Sequence, residues 1–136
     1  MEAHAVWQHG FALLLNDGRE HATTVDLPAD EGGGNTGTSS LELCVLSLAG
    51  CIGTIFAIIA RKRRLVYSGL EVALTADRPP NAATVERVAG TVDVRSGADR
   101  EDLETVLRMT LKTCPVGVLF ERARVPVDVR LRLLPA

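Results

Sequence analysis

Three cysteines, Cys44, Cys51 and Cys114, carry most of the reactive potential of this chain. A thiolate is a nucleophile, and its reactivity depends on how its surroundings treat the charge. Cys114 precedes Pro115, which suits the first position of a helix, so Cys114 falls on the N-cap, where free amides and the helix dipole favour a thiolate. A buried, inert cysteine serving as a small hydrophobe fits the same residue equally well. Cys51 falls inside a long apolar run, between Gly50 and Ile52, where a dipole helps little and burial opposes ionisation. A core cysteine is the plainer reading there. Ala49, Gly50 and Gly53 nevertheless thin the helix surface around it, leaving room for another helix or a substrate to approach. Cys44 lies seven residues earlier on the same helix face. Two turns separate their Cα atoms by roughly 10 Å, too far for a disulfide. Cys44 therefore reads as core packing.

Other groupings carry less. His4, His9 and His21 show no spacing with cysteines or acids that resembles a zinc site. Gly32-Gly33-Gly34 lacks the lysine of a phosphate loop and reads as a flexible loop. Arg61-Lys62-Arg63-Arg64 reads as a solvated helix end, and Asp99, Glu101, Asp102 and Glu104 as the solvated first turn of another. A formal charge of -2 gives no electrostatic case for nucleic acid. Three cysteines are too few, and odd in number, for a secreted disulfide framework, and no signal-peptide pattern opens the chain. A cytoplasmic protein with reduced thiols is expected.

The elements that must position these residues follow from periodicity. Ala3 to His9, Phe11 to Leu15 and about Glu20 to Leu27 form a β-meander, broken at Gly10, at Asn16-Asp17-Gly18 and at Pro28. A polar loop from Ala29 to Thr38 leads to a long helix from Ser40 to Ala60. Ser39 and Glu42 have capping-box spacing at its start, and apolar residues on all faces predict burial all round. Leu41 to Ala60 also has the length of a membrane span, with a basic flank after it. Glu42, the polar residues and the glycines within it argue against that, as do neighbouring strands that need an apolar cover. Two alternating strands, Val66 to Thr75 and Val88 to Arg95, come next. Asp99 can cap a second helix reaching about Thr113, Pro115 opens a third through Arg122, and Val125 to Leu133 is the last strand. The fold class is α+β, a single domain over residues 1–136.

Longer motifs sharpen this. Gly33-Gly34-Asn35-Thr36-Gly37, then Leu41-Glu42-Leu43, then Leu48-Ala49-Gly50-Cys51 resemble the GG-N-x-G…EL…AGC signature of the OsmC/Ohr family. Lys112-Thr113-Cys114-Pro115-Val116, about sixty residues on, resembles its second cysteine motif. The order and spacing of these pieces are more specific than any one of them, and the resemblance covers nearly the whole chain. It implies a thiol peroxidase of the generic OsmC-like branch that reduces organic hydroperoxides. Cys51 would attack the O–O bond and become a sulfenic acid, Cys114 would close a disulfide with it, and a dithiol would reopen that disulfide. It also implies an N-terminal meander, a long central helix, further antiparallel strands and a C-terminal helix pair, in an intertwined homodimer with active sites at the interface. Neither a metal nor a bound cofactor is implied, and the partners are the hydroperoxide, the dithiol and a second copy of the chain, not nucleic acid or membrane.

The chain departs from the family pattern at specific places. Thr38 and Ser40 stand where prolines are usual. The glutamate of the organic-hydroperoxide-resistance branch corresponds to Leu41, with Glu42 one step on, where a capping role competes with a catalytic one. That branch also holds its thiolate with an N-terminal arginine, and Gln8 to Gly10 contain none. Arg19 is the nearest, and it is the first choice for the cation expected beside Cys51. These departures leave a second reading, a peroxidase-impaired relative acting as a thiol sensor or binding an apolar ligand at the dimer interface.

Overall fold

Two short apolar alternations and a turn-rich connection build the first part of the chain. In the computed structural model, which describes residues 1–135, β1 (His4–His9), β2 (Ala12–Asn16) and β3 (Ala22–Val25) form an antiparallel sheet in that order. Gly10 and Gly18 turn the chain with positive φ of 49° and 73°, the conformation that favours glycine. The third strand is shorter than its periodicity suggested.

The loop after it is organised by a residue that periodicity does not single out. Asp26 is buried, and its Oδ2 accepts the amides of Gly34 and Thr36, both at 3.1 Å, and the Thr36 hydroxyl at 2.8 Å. Its Oδ1 accepts the Leu27 amide. A Cβ on Gly33 would sit 2.0 Å from the Leu27 carbonyl oxygen, and one on Gly37 2.3 Å from that of Thr24. These glycines are therefore required by backbone packed on backbone, and the glycine-rich motif is the wrapping of Asp26. The Thr36 amide, then its hydroxyl, hold the Asp26 carboxyl below the usual carboxylate range. A depressed acid contributes stability above its unfolded pKa and loses it as pH falls through the folded value. Asp26→Ala should lower the melting temperature by several degrees at neutral pH, and the gap to wild type should shrink as the pH is taken below 3.8, the ordinary value. Thermal melts of both proteins across that range check this.

α1 (Ser40–Lys62) starts on the expected capping box. The Ser39 amide donates to Glu42 Oε2 at 2.7 Å, the Glu42 amide donates to Ser39 Oγ at 3.3 Å, and the Thr38 hydroxyl adds a third bond to the same carboxylate oxygen. Leu48, Ile52, Phe56, Ile59 and Ala60 form one buried stripe. All-round burial is not met within one chain, for Leu46 is 56% and Ile58 44% exposed. A helix packed along one side can bury only one stripe. By length and composition alone α1 is long and apolar enough to cross a membrane.

Beyond it, β4 (Gly69–Asp77) pairs antiparallel with β5 (Arg87–Arg95), and β6 (Val127–Leu134) pairs with β5 in parallel. A parallel neighbour needs a crossover rather than a hairpin. Two helices, α2 (Arg100–Thr113) and α3 (Pro115–Arg122), supply it. Val88, Val92, Val94 and Val129 give this sheet its buried apolar face. Asp99 takes the N-cap position of α2, but its side chain makes no capping hydrogen bond. Contacts gather into two compact units, Met1–Cys44 and the chain from Val45 onward.

Candidate active site

The break between α2 and α3 is where Cys114 sits. Its amide donates to the Thr110 carbonyl at 2.8 Å, closing α2, while its Sγ accepts the Gly117 amide at 3.4 Å, opening α3 with Pro115 at the first position. The expected cap is therefore present. Cys114 is fully buried, and the side chain of Cys51, projecting from α1, lies near enough to act on its thiol. Cys51 is half-buried and Cys44 exposed, and all three thiols are free. No local spacing rule joins residues 63 apart, and the expectation that these two sulfurs meet comes from the family resemblance alone.

The N-cap does not make Cys114 a thiolate. Burial pushes its pKa up from the ordinary 9.0 to about 11, with Cys51 adding to the rise, and the amides of Gly117 and Val116 offset only part of it. Desolvation wins over the dipole because the sulfur has no contact with water. A raised pKa means that the folded chain holds this proton more tightly than the unfolded chain. Its stabilising contribution is complete below about 9 and is lost as the pH climbs towards about 11. Urea unfolding at successive pH values should show this fall for the wild type, and Cys114→Ser should flatten it.

Arg19 and Glu42 lie in the first unit, each with local partners. Arg19 donates to Asp17 through its amide and through Nε at 2.8 Å, and His21 Nδ1 meets the same carboxylate at 3.0 Å. His21 first, with Arg19 behind it, holds the Asp17 carboxyl down to about 2. Glu42 is engaged in the capping box already described. Its carboxyl is lowered chiefly by the Ser39 amide. Ser39→Ala should cost about 1 kcal/mol of stability through loss of the reciprocal cap, read from the urea midpoint. Among the described residues no group of three or more histidines, cysteines or acids is arranged to hold a metal ion.

A cavity of about 400 Å³ adjoins Cys114, with Leu48 and Ile52 of α1 and Leu111 also among its walls. Glu121 and Arg124 line it as well. Neither carries a sequence signal of its own, because charged residues at a helix end are ordinary and a basic one fits the dipole without further reason.

A family model described as OsmC-like protein matches residues 32–130. No curated protein matches the sequence significantly. Among solved structures, an OsmC-like protein from Mycoplasma pneumoniae has a TM-score of 0.83 at 14% identity, over 99% of this chain and 96% of its own. An organic hydroperoxide resistance protein OsmC from Legionella pneumophila gives 0.70 at 16% identity, over 97% of each chain. The organic hydroperoxide resistance protein OhrB of Bacillus subtilis gives 0.65 at 20% identity, over 98% of each. At these identities the likeness is one of fold, α+β with two small sheets and three helices.

Proposed function

The chain belongs to the OsmC-like protein family, and on that premise we propose that it is a thiol-dependent peroxidase acting on organic hydroperoxides. The observation that carries this reading is that Cys51 and Cys114, from two different elements, lie close enough for one thiol to raise the pKa of the other. That the family also includes structures named for organic hydroperoxide resistance supports the substrate class.

The chemistry divides between the two thiols by exposure. Cys51, half-buried, meets the hydroperoxide. Its thiolate attacks the distal oxygen, the O–O bond breaks, the alkoxide leaves and takes a proton to become an alcohol, and Cys51 becomes a sulfenic acid. Cys114, buried and holding its proton to about pH 11, then attacks the sulfenic sulfur. Its proton leaves with the hydroxide as water, and the S–S bond forms. A thiol held protonated beside the sulfenic acid is well placed to deliver that proton. An external dithiol reopens the bond by exchange, becoming a disulfide itself.

Glu42 serves the cap in this reading, and Glu42→Gln should change the peroxidase rate far less than it changes stability. Arg19 is the cation assigned to the Cys51 thiolate, and Asp17 holds its guanidinium in this state. Arg19→Ala should slow peroxide reduction while the protein stays folded, and an unchanged rate removes it from the site. The direct test of the function is consumption of an organic hydroperoxide by the reduced protein with a dithiol as electron donor. Turnover no faster than the dithiol alone rejects the proposal.

A further inference from the structure

The cavity beside Cys114 carries charge that peroxide reduction does not use. Its walls are apolar, from Leu48, Ile52, Leu111 and Val127, while Glu121 and Arg124 bring one acid and one base to it. Both are exposed, and among the described residues neither forms an ion pair. Arg124 also has an unusual backbone. Its φ is 60°, and its amide and that of Val125 donate to the carbonyls of Glu121 and Phe120, closing α3 in a left-handed cap. Glycine is the usual residue there because any Cβ is crowded in that conformation. Arg64 closes α1 in the same conformation, so what distinguishes Arg124 is its place on the cavity wall.

We propose that Arg124 is a specificity-determining residue, holding the anionic head of a ligand whose apolar part fills this cavity. The ligand class is an amphipathic carboxylate. A guanidinium offers a carboxylate two parallel N–H groups and stays charged at any working pH. Beside apolar walls the attraction is screened less than on open surface. Glu121 opposes it, so its removal should tighten binding of the same ligand. The volume lies within the ordinary range for small-molecule sites. Cys114 forms part of the wall, so the bound chain lies next to that residue. Either reactant, the hydroperoxide or the dithiol, can supply such a head. The inference rests on the thiol-peroxidase reading for what the ligand meets, not for whether it binds.

Calorimetry on the reduced, full-length protein tests it with three probes of equal chain length: decanoate, decan-1-ol and decylammonium. Decanoate should bind about tenfold tighter than decan-1-ol, the size of one charge-assisted contact, and decylammonium should bind weakest. Arg124→Gln should bring decanoate to the affinity of decan-1-ol and leave decan-1-ol unchanged, while Glu121→Gln should tighten decanoate severalfold. Arg124→Gly suits the backbone, so it should melt no lower than wild type and still lose the preference. A wild-type protein indifferent to head charge, or an Arg124→Gln protein that still prefers decanoate, overturns the proposal. Steady-state kinetics then assign the head: Arg124→Gln should raise KM for the anionic member of one pair only, either hydroperoxides or dithiols, with kcat little changed. KM unchanged for both pairs overturns the specificity role. A clear preference for decanoate in a protein without turnover would sink the peroxidase reading and leave this one standing.

Discussion

One equivalent of hydroperoxide should convert the reduced protein into a form with a Cys51–Cys114 disulfide and Cys44 still free. The expectation follows from where the sulfurs lie. Cys114 already lies beside Cys51, so closing the bond asks for an adjustment rather than a search. Its helix break, with Pro115 starting a new helix, gives the local freedom to make it. Cys44 is fixed two helical turns from Cys51, roughly 10 Å along α1, and disulfide geometry cannot span that. Cys51→Ser should reduce peroxide consumption to the uncatalysed background. Cys114→Ser should allow one turnover and then accumulate sulfinic acid at Cys51 when peroxide is in excess, because nothing resolves the sulfenic acid. Peptide mapping under non-reducing conditions distinguishes these products. A Cys44–Cys51 bridge, or sulfinic acid at Cys51 beside a free Cys114 in the wild type, would refute the two-cysteine mechanism.

Where the sequence was legible, a local rule and the tertiary packing agreed. The capping box of Ser39 and Glu42 and the Cys114-Pro115 helix start are each decided within four residues, and both stand in the structure. Illegible features depend on partners distant in sequence. Asp26 looks like any acid before a proline loop until Gly34 and Thr36 fold back onto it. Asp93 alternates with valines and reads as an outward residue, yet it is buried under Arg132 of the neighbouring strand. Of the two readings left open for Cys114, capped thiolate or buried thiol, the second holds for a related reason. Its cap is a local property and was readable, whereas its burial is a property of the whole packing and outweighs the cap. Arg124 was invisible because its meaning lies in a left-handed backbone and a cavity wall, neither of which leaves a periodic trace.

The second large effect expected is dissociation of a homodimer by a single charge on α1. A window of this helix has a mean hydropathy of 2.5, yet only 28% of that window is buried within one chain. Leu46 and Ile58 stand open, and in the first unit so do Val6, Trp7 and Phe11. Isolated exposed apolar residues are ordinary, but a long helix that remains apolar beyond its buried stripe is a surface awaiting a cover. We propose a second copy of the chain as that cover, as the resemblance to the OsmC/Ohr family implies. The wild type should therefore sediment as a dimer at micromolar concentration. Ile58→Glu would have to place an ionised carboxylate in the covered face, which costs several kcal/mol unless it finds a partner. The variant should sediment as a monomer, or as a dimer only at much higher concentration, and where it is monomeric its melting temperature should lose the concentration dependence that a dimer unfolding to separate chains shows. Lys62→Glu, at the already solvated end of the same helix, should leave the sedimentation coefficient unchanged. A wild-type monomer at micromolar concentration, or an Ile58→Glu protein as dimeric as wild type, would remove α1 from any subunit interface.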